Sequence, residues 1–396
     1  MTSKSPLVQP ITAGFVAAFV GYASSFAVVL KGLQSVGASD AQAASGLMAL
    51  SFAMGFLCLV LSFAYKMPIS GAWSTPGAAL LAATGAVSGG FGAAIGAFLV
   101  VGALVVITGL FKPAAKAVEA IPSSLANAML AGVLFGLCLQ PIKALIEVPM
   151  PAALVVGAWF VVSRWKRAWA TPTAAIIALA VIVFQGHGPG LDFANFTPTL
   201  TYVDPVFTPE ALISIALPLY IVTMASQNLP GVAVLHAYDY RPDPGWPIAA
   251  TGVFSMLAAP FGGHAVNLSA ITAAMCASAD ASPDRKLRWI ASFACGFALV
   301  IFGFFAGALT HFASQSPILI EAVAGLALLA SFGQALHNAL ADTGEREAAL
   351  VTFLIASSGV GFLGIGGAFW GLVAGGIVLA LTRYGAFSPR RLGKPR

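Results

Sequence analysis

Along the chain, long apolar runs alternate with short polar breaks. A helix of about 20 apolar residues crosses the hydrocarbon core of a bilayer. Runs of this kind, whole or interrupted, occupy 11–30, 43–65, 67–83, 90–111, 122–139, 152–163 (extended backwards) and 171–185. The longest non-apolar stretch follows, rich in Pro and Gly, at 186–209. Seven further runs cover 210–235, 246–260, 262–279, 289–312, 317–339, 348–363 and 366–383. The pattern predicts an all-α membrane protein with 14 transmembrane segments, seven before the linker and seven after it.

Composition fits lipid as the solvent. Of 396 residues, 59% are hydrophobic and 8% charged, against roughly 25% charged in a soluble domain. The formal net charge of +5 does not point to nucleic acid, because the basic residues lie in short clusters between apolar runs and form no surface that could track a phosphate backbone. Their distribution gives an orientation instead. With both termini cytoplasmic, 17 of the 19 Lys and Arg fall on the inner side, and only Lys31 and Lys143 fall outside. A bacterial inner membrane is the expected location. The first run stays uncharged to Leu30, long enough for a span rather than a cleaved leader. Cys58, Cys138, Cys276 and Cys295 lie far apart inside apolar stretches, and no histidine spacing suits a metal. No cofactor or metal is expected.

An odd number of spans per half places related halves in opposite orientations. Faint internal likenesses favour that relation: Tyr22-Ala23-Ser24-Ser25 in span 1 beside Met224-Ala225-Ser226-Gln227 in span 8, and Pro122 and Pro317 at matching places in spans 5 and 12. An inverted repeat is a common plan of secondary transporters.

Spans 3 and 10 carry the most information. Residues 68–77, Pro-Ile-Ser-Gly-Ala-Trp-Ser-Thr-Pro-Gly, and 260–269, Pro-Phe-Gly-Gly-His-Ala-Val-Asn-Leu-Ser, both resist helix formation and both lead into small-residue helical stretches. Interrupted segments at matching places in two halves point to a transporter's binding site. Ser74 or Thr75 before Pro76 makes a good helix start, and Asn267 is its expected counterpart. Two helices that begin mid-membrane would aim amide N–H groups and partial positive charge at an anion, which suits a carboxylate. The extended pieces before them need partners in lipid, and pairing as two short strands would supply them.

Further candidates follow from polar or aromatic residues in apolar runs. His264 is the only Asp, Glu, His, Lys or Arg between Asp243 and Asp280. It is the proton-coupling candidate, with a neutral, structural histidine as the alternative. Gln227 and Asn228 in span 8 must bond either substrate or the adjacent broken helices. Tyr22, Phe26, Trp73 and Phe254 could wall an aromatic ring. Glu321 reads as interfacial, with a lesser claim to coupling. The candidate substrate-binding set takes Tyr22, Ser24, Ser25 and Phe26 from span 1 and Trp73, Ser74, Thr75 and Gly77 from span 3. It adds Gln227 and Asn228 from span 8, and His264, Asn267, Leu268 and Ser269 from span 10.

Residues 225–231, Ala-Ser-Gln-Asn-Leu-Pro-Gly, and 261–268, Phe-Gly-Gly-His-Ala-Val-Asn-Leu, together with 68–76, make the sequence similar to the benzoate transporter family, the benzoate–proton symporters of bacteria. The likeness covers essentially the whole chain. It implies a fold like that of the uracil and nucleobase carriers: a seven-plus-seven inverted repeat with core and gate domains, whose broken third and tenth spans cross at the substrate. Carried onto this chain, the core would comprise 1–111 and 210–312, the gate 112–185 and 313–396, and 186–209 the extracellular linker. Those carriers place glutamates in spans 8 and 10; this chain has Gln227, Asn228 and His264 there, which argues against a nucleobase and suits an anion. The expected partners are a small aromatic carboxylate, a proton and the bilayer, with a homodimer left open. The alternatives are a nucleobase or inorganic-anion carrier or channel of the same fold. An intramembrane serine protease is disfavoured, since no Gly follows Ser74.

Overall fold

The computed structural model describes residues 7–119, 122–184 and 199–385. Much of the expected linker (186–198) and the basic tail (386–396) lie outside the described residues. The rest is almost wholly helical.

In the first half the helices are α1 (Val8–Ser35), α2 (Asp40–Tyr65), α3 (Thr75–Thr84), α4 (Gly90–Leu110), α5 (Lys112–Glu119), α6 (Ser123–Cys138), α7 (Gln140–Glu147), α8 (Pro149–Ser163) and α9 (Arg167–Ile182). The second half holds α10 (Pro209–Ala237), α11 (Gly245–Ala258), α12 (Ile271–Ala277), α13 (Trp289–Gly303), α14 (Ala306–Gln315), α15 (Pro317–Leu340), α16 (Arg346–Ser357) and α17 (Gly367–Gly385). Among the described residues, seven helical stretches are long and apolar enough to span a membrane: α1, α2, α4, α6 with α7, α10, α15, and α13 with the turn before it. α8, α9, α11 and α17 are shorter apolar helices.

Several apolar runs are less regular than the sequence pattern implies. Run 289–312 is divided at Phe304-Phe305 into α13 and α14. α6 ends at Cys138, where run 122–139 closes, and α7 follows as an additional short helix with Pro141, which lacks an N–H, in its first turn. α5, with Lys112 and Lys116, is an additional short helix beyond α4.

α10 widens into π turns at Leu212–Ala216 and Met224–Asn228. Each lies just before a proline, Pro218 or Pro230, whose ring would strike the carbonyl four residues back, at Ser214 or Ser226. Widening the helix there relieves the clash. Such turns frequently sit at functional sites.

α1 packs on α3, α12 and α13, α2 on α13, and α4 on α11, while α15 packs on α6 to α9. α1 also meets α15 and α9. Small residues let backbones close up, as expected where helices associate in lipid. A Cβ on Gly55 of α2 would lie 2.8 Å from the carbonyl of Gly296 in α13, and one on Gly296 would lie 2.6 Å from that of Gly55.

At the centre, β1 (Gly71–Trp73) and β2 (Val266–Leu268) pair antiparallel, with Gly71 opposite Leu268, Ala72 opposite Asn267 and Trp73 opposite Val266. The bonding continues beyond both ends, with Ser74 N–H donating to Ala265 O at 2.9 Å and Ser269 N–H to Ser70 O at 2.8 Å. A two-stranded ribbon leaves edge groups bare, and in an apolar surrounding each bare group is costly. Helix side chains cover them. Cys58 Sγ of α2 accepts from Gly71 N–H at 2.9 Å. Ser255 Oγ of α11 accepts from Val266 N–H at 2.8 Å and donates to Val266 O at 3.2 Å. Asn228 Oδ1 of α10 accepts from Leu268 N–H at 2.8 Å.

Candidate functional site

α3 begins directly after β1 because Ser74 stops the strand and caps the helix. Its backbone is extended, its Oγ accepts from Gly77 N–H at 3.2 Å, and Pro76 occupies the first turn. Gly77 is required, since a Cβ there would strike Leu219 of α10 and stand 2.7 Å from Ser74 Oγ. Thr223 of α10 donates to the same Oγ at 3.0 Å.

α12 begins differently from expectation. Asn267 lies inside β2, with its Nδ2 turned to the carbonyl of Leu268 at 2.8 Å. The first-turn amide of Thr272 is accepted by Ser269 Oγ at 3.2 Å. The N-cap position itself is Ala270, without a capping side chain. The hydroxyl that serves this helix start comes from Ser269, two residues beyond Asn267, because pairing with Ala72 holds Asn267 in the strand.

The two helix starts border one cavity of about 150 Å³. α1 contributes Gly21, Tyr22, Ser24 and Ser25; the β1–α3 segment contributes Ala72, Trp73, Thr75 and Pro76. Gln227 comes from the π turn of α10, and Ser269, Ile271 and Thr272 from the start of α12. Ala327, Leu328 and Ser331 of α15 close the opposite wall, with Met54 and Leu299 behind. None of these lining residues is charged. An engineered apolar cavity of ~150 Å³ holds a benzene ring.

Trp73 and Tyr22 form the aromatic part of the wall, with ring centroids 5.0 Å apart. Trp73 is fixed by its indole N–H, which donates to Ser25 Oγ at 2.8 Å. Tyr22 is fixed by its hydroxyl, which donates to Phe302 O at 3.3 Å. Ser24 and Ser25 bond back to the carbonyls of Val20 and Gly21.

Of the sequence candidates, Tyr22, Ser24, Ser25, Trp73, Thr75, Gln227 and Ser269 line the cavity. The others stand behind it. Phe26 stacks on Tyr22 at 6.5 Å, and Ser74 and Gly77 build the α3 cap. Asn228, fully buried, holds β2, and Leu268 and Asn267 lie within that strand. His264 is fully buried beside Phe98; its Nε2–H donates to Ser74 O at 3.0 Å, tying the α3 cap to the second broken segment. Phe254 packs against the core from α11. Glu321 of α15 pairs with Lys31 of α1 at 2.7 Å. Among the described residues, no group of three or more His, Cys, Asp or Glu is placed to hold a metal ion.

Sequence reading missed Thr272 and the α15 wall. Ala327, Leu328 and Ser331 sit in an uninterrupted helix with no local signal, and only packing brings them to the cavity.

Two helix starts and a two-stranded ribbon around a central cavity, inside a bundle of apolar helices, define a membrane transporter. The fold resembles the transmembrane domain of a cyanobacterial bicarbonate transporter, BicA, with a TM-score of 0.60 and 14% identity over 96% of this chain and 97% of that one. It also resembles murine Slc26a9, described as an anion transporter in the inward-facing state, with a TM-score of 0.61 and 12% identity over 98% of this chain and 69% of that one.

Sequence narrows the class. The chain belongs to the benzoate membrane transport protein family, whose model matches residues 5–381. It is 40% identical to inner membrane protein YdcO of Escherichia coli (strain K12), over 93% of this chain and 94% of that protein. It is 30% identical to the benzoate membrane transport protein of Acinetobacter baylyi, over 92% of each. The chain is thus a multi-pass inner-membrane transporter.

Proposed function

We propose that the protein is a secondary carrier that moves benzoate or a related aromatic carboxylate together with one proton. The observation that carries this reading is the cavity itself: an aromatic wall of Tyr22 and Trp73 facing hydroxyl and amide groups at two helix starts, with no charged side chain in its lining. The ring would lie against the aromatics. The carboxylate would face the partial positive charge at the starts of α3 and α12.

Energetics favour proton coupling. Bringing a monovalent anion into a negative interior costs about 2.3 kcal/mol per 100 mV. A proton carried along cancels that cost, and each unit of pH gradient adds about 1.36 kcal/mol of drive. His264, which supports the cavity from behind, is the candidate for the coupled proton, and Glu321, paired with Lys31, is the second candidate. The proposed architecture is 14 spans as a seven-plus-seven inverted repeat with both termini cytoplasmic. In this scheme the helices around α1 form the core, and those around α15 form the gate.

Uptake of labelled benzoate into right-side-out membrane vesicles tests the reading. Uptake should saturate, collapse with a protonophore, and be competed by substituted benzoates but not by uracil or sulfate. Uptake that survives uncoupling and requires sodium would overturn the mechanism. A second reading, an inorganic-anion carrier, is favoured by the folds of the bicarbonate and Slc26a9 transporters. Competition by bicarbonate or sulfate with no effect of benzoate would select it.

A further inference from the structure

Threonine hydroxyls within this chain's helices usually bond backwards to the carbonyl four residues earlier, as Thr12 does to Val8, Thr84 to Leu80, Thr108 to Leu104, Thr310 to Ala306 and Thr352 to Ala348. Thr272 cannot. It is the second residue of α12, so the residue four back, Leu268, lies in β2 rather than in a helix. The carbonyl of Leu268 already accepts from Asn267 Nδ2. Thr272 Oγ1 is enclosed, has no hydrogen-bond partner, and belongs to a residue 6% exposed. That residue lies in the cavity wall beside Ser269 and Ile271. Its methyl faces α1, where a Cβ on Gly21 would stand 3.2 Å from it.

Native proteins leave few buried hydroxyls unmade, and an exception calls for a role. The neighbouring donors at this helix start are partly engaged: Ser269 Oγ holds the amide of Thr272, and at α3 Ser74 Oγ holds that of Gly77. With these amides held by their caps, side-chain groups are the donors left to an anion here, and the hydroxyl of Thr272 is the buried one with no bond at all. We propose that Thr272 is a specificity-determining residue, whose hydroxyl turns about χ1 to donate a hydrogen bond to the carboxylate of the transported aromatic acid. This deepens the reading of the cavity as the substrate site and rests on it.

Donation to a charged acceptor is among the stronger hydrogen bonds. Thr272→Val keeps the shape and removes the donor, and should weaken binding of benzoate at least about tenfold. Thr272→Ser keeps the donor and should stay within about threefold of the parent. The test uses the purified full-length protein, with equilibrium binding of labelled benzoate and thermal unfolding measured on the same preparations. Without benzoate, Thr272→Val should unfold no earlier than the parent, because it removes an unpaired buried group. Benzoate should raise the unfolding temperature of the parent and of Thr272→Ser, but much less that of Thr272→Val.

Equal benzoate affinity in Thr272→Val and the parent would overturn the inference alone. So would earlier unfolding of both variants together with equal loss of affinity, which would make Thr272 a packing residue. If Thr272→Val does not fold, the Thr272→Ser and Thr272→Ala pair decides by the same comparison. Failure of the parent itself to bind any aromatic carboxylate would strike the reading of the cavity and remove this inference with it.

Discussion

Gln227 and Asn228 are neighbours in sequence and in the same π turn, yet they face different tasks. Gln227 lines the cavity, whereas Asn228 is fully buried and accepts Leu268 N–H at 2.8 Å. Replacing Asn228 by Leu keeps the branching of the side chain and creates no cavity, although its two methyls are bulkier than the amide and add some overpacking. What is lost is the acceptor for a buried strand amide, at about 1–3 kcal/mol for a stranded donor. The second bond, from Nδ2 to Met224 Sδ at 3.3 Å, adds little, because a thioether is a weak acceptor. The folded-to-unfolded ratio should then fall about 5- to 150-fold. Thermal unfolding in detergent reads the first effect, and labelled-benzoate binding per folded molecule reads the second. Asn228→Leu should melt earlier and bind within about threefold of the parent. Gln227→Leu should melt unchanged and bind more weakly. Should Asn228→Leu keep its melting temperature and lose binding, Asn228 touches the cargo and the division of labour proposed for the π turn is wrong.

Other positions carry similar tests. Cys58→Val removes the acceptor for Gly71 N–H and should destabilise the fold by about 1–3 kcal/mol, while Cys58→Ser retains an acceptor and most of the stability; unfolding temperatures distinguish them. Gly296→Ala would push a methyl to 2.6 Å from the carbonyl of Gly55. It should force α2 and α13 apart at a cost of about 1–3 kcal/mol, seen as a lower yield of folded protein. The Lys31–Glu321 pair joins α1 to α15, with side chains 35% and 18% exposed. Glu321→Gln should cost stability under about 1 kcal/mol but change the uptake rate. The exchange Lys31→Glu with Glu321→Lys should restore that rate, and no change in the single variant would make the pair ornamental.

Much of the site is legible in sequence because interrupting a helix in an apolar run takes particular residues. Ser74, Pro76 and Gly77 announce where α3 starts, and the side-chain cap is where their chemistry puts it. The second interruption is harder to read. Asn267 and Ser269 are both good caps by type, and only the register Ala72 opposite Asn267 hands the task to Ser269. The break at Phe304-Phe305 lies inside a run whose hydropathy is continuous, so periodicity cannot place it, whereas the end of α6 falls where run 122–139 stops. The α15 wall is invisible for the opposite reason: Ala327, Leu328 and Ser331 belong to a regular helix, and their role follows from which helix α1 meets.

The polar residues of the interior divide into two sets, and the division bears on coupling. Cys58, Ser255, Asn228 and His264 bond the backbone of the ribbon and the α3 cap. Cys58, Ser255 and Asn228 cannot also bond a ligand without freeing a buried group, whereas His264 keeps a buried Nδ1 that has no partner. Thr75, Gln227, Ser269 and Thr272 remain beside the cavity, and all of them are neutral. A neutral lining offers an anion helix-start charge of only about half an elementary charge each, which helps a carboxylate without making it irreversibly bound. It also leaves the anion's charge uncompensated during the crossing, which is the condition under which a co-transported proton lowers the barrier most. Introducing Lys at Ser269 should therefore tighten benzoate binding yet slow its exchange. If it instead speeds uptake and leaves proton dependence intact, neutrality of the lining is not what ties the proton to the cargo.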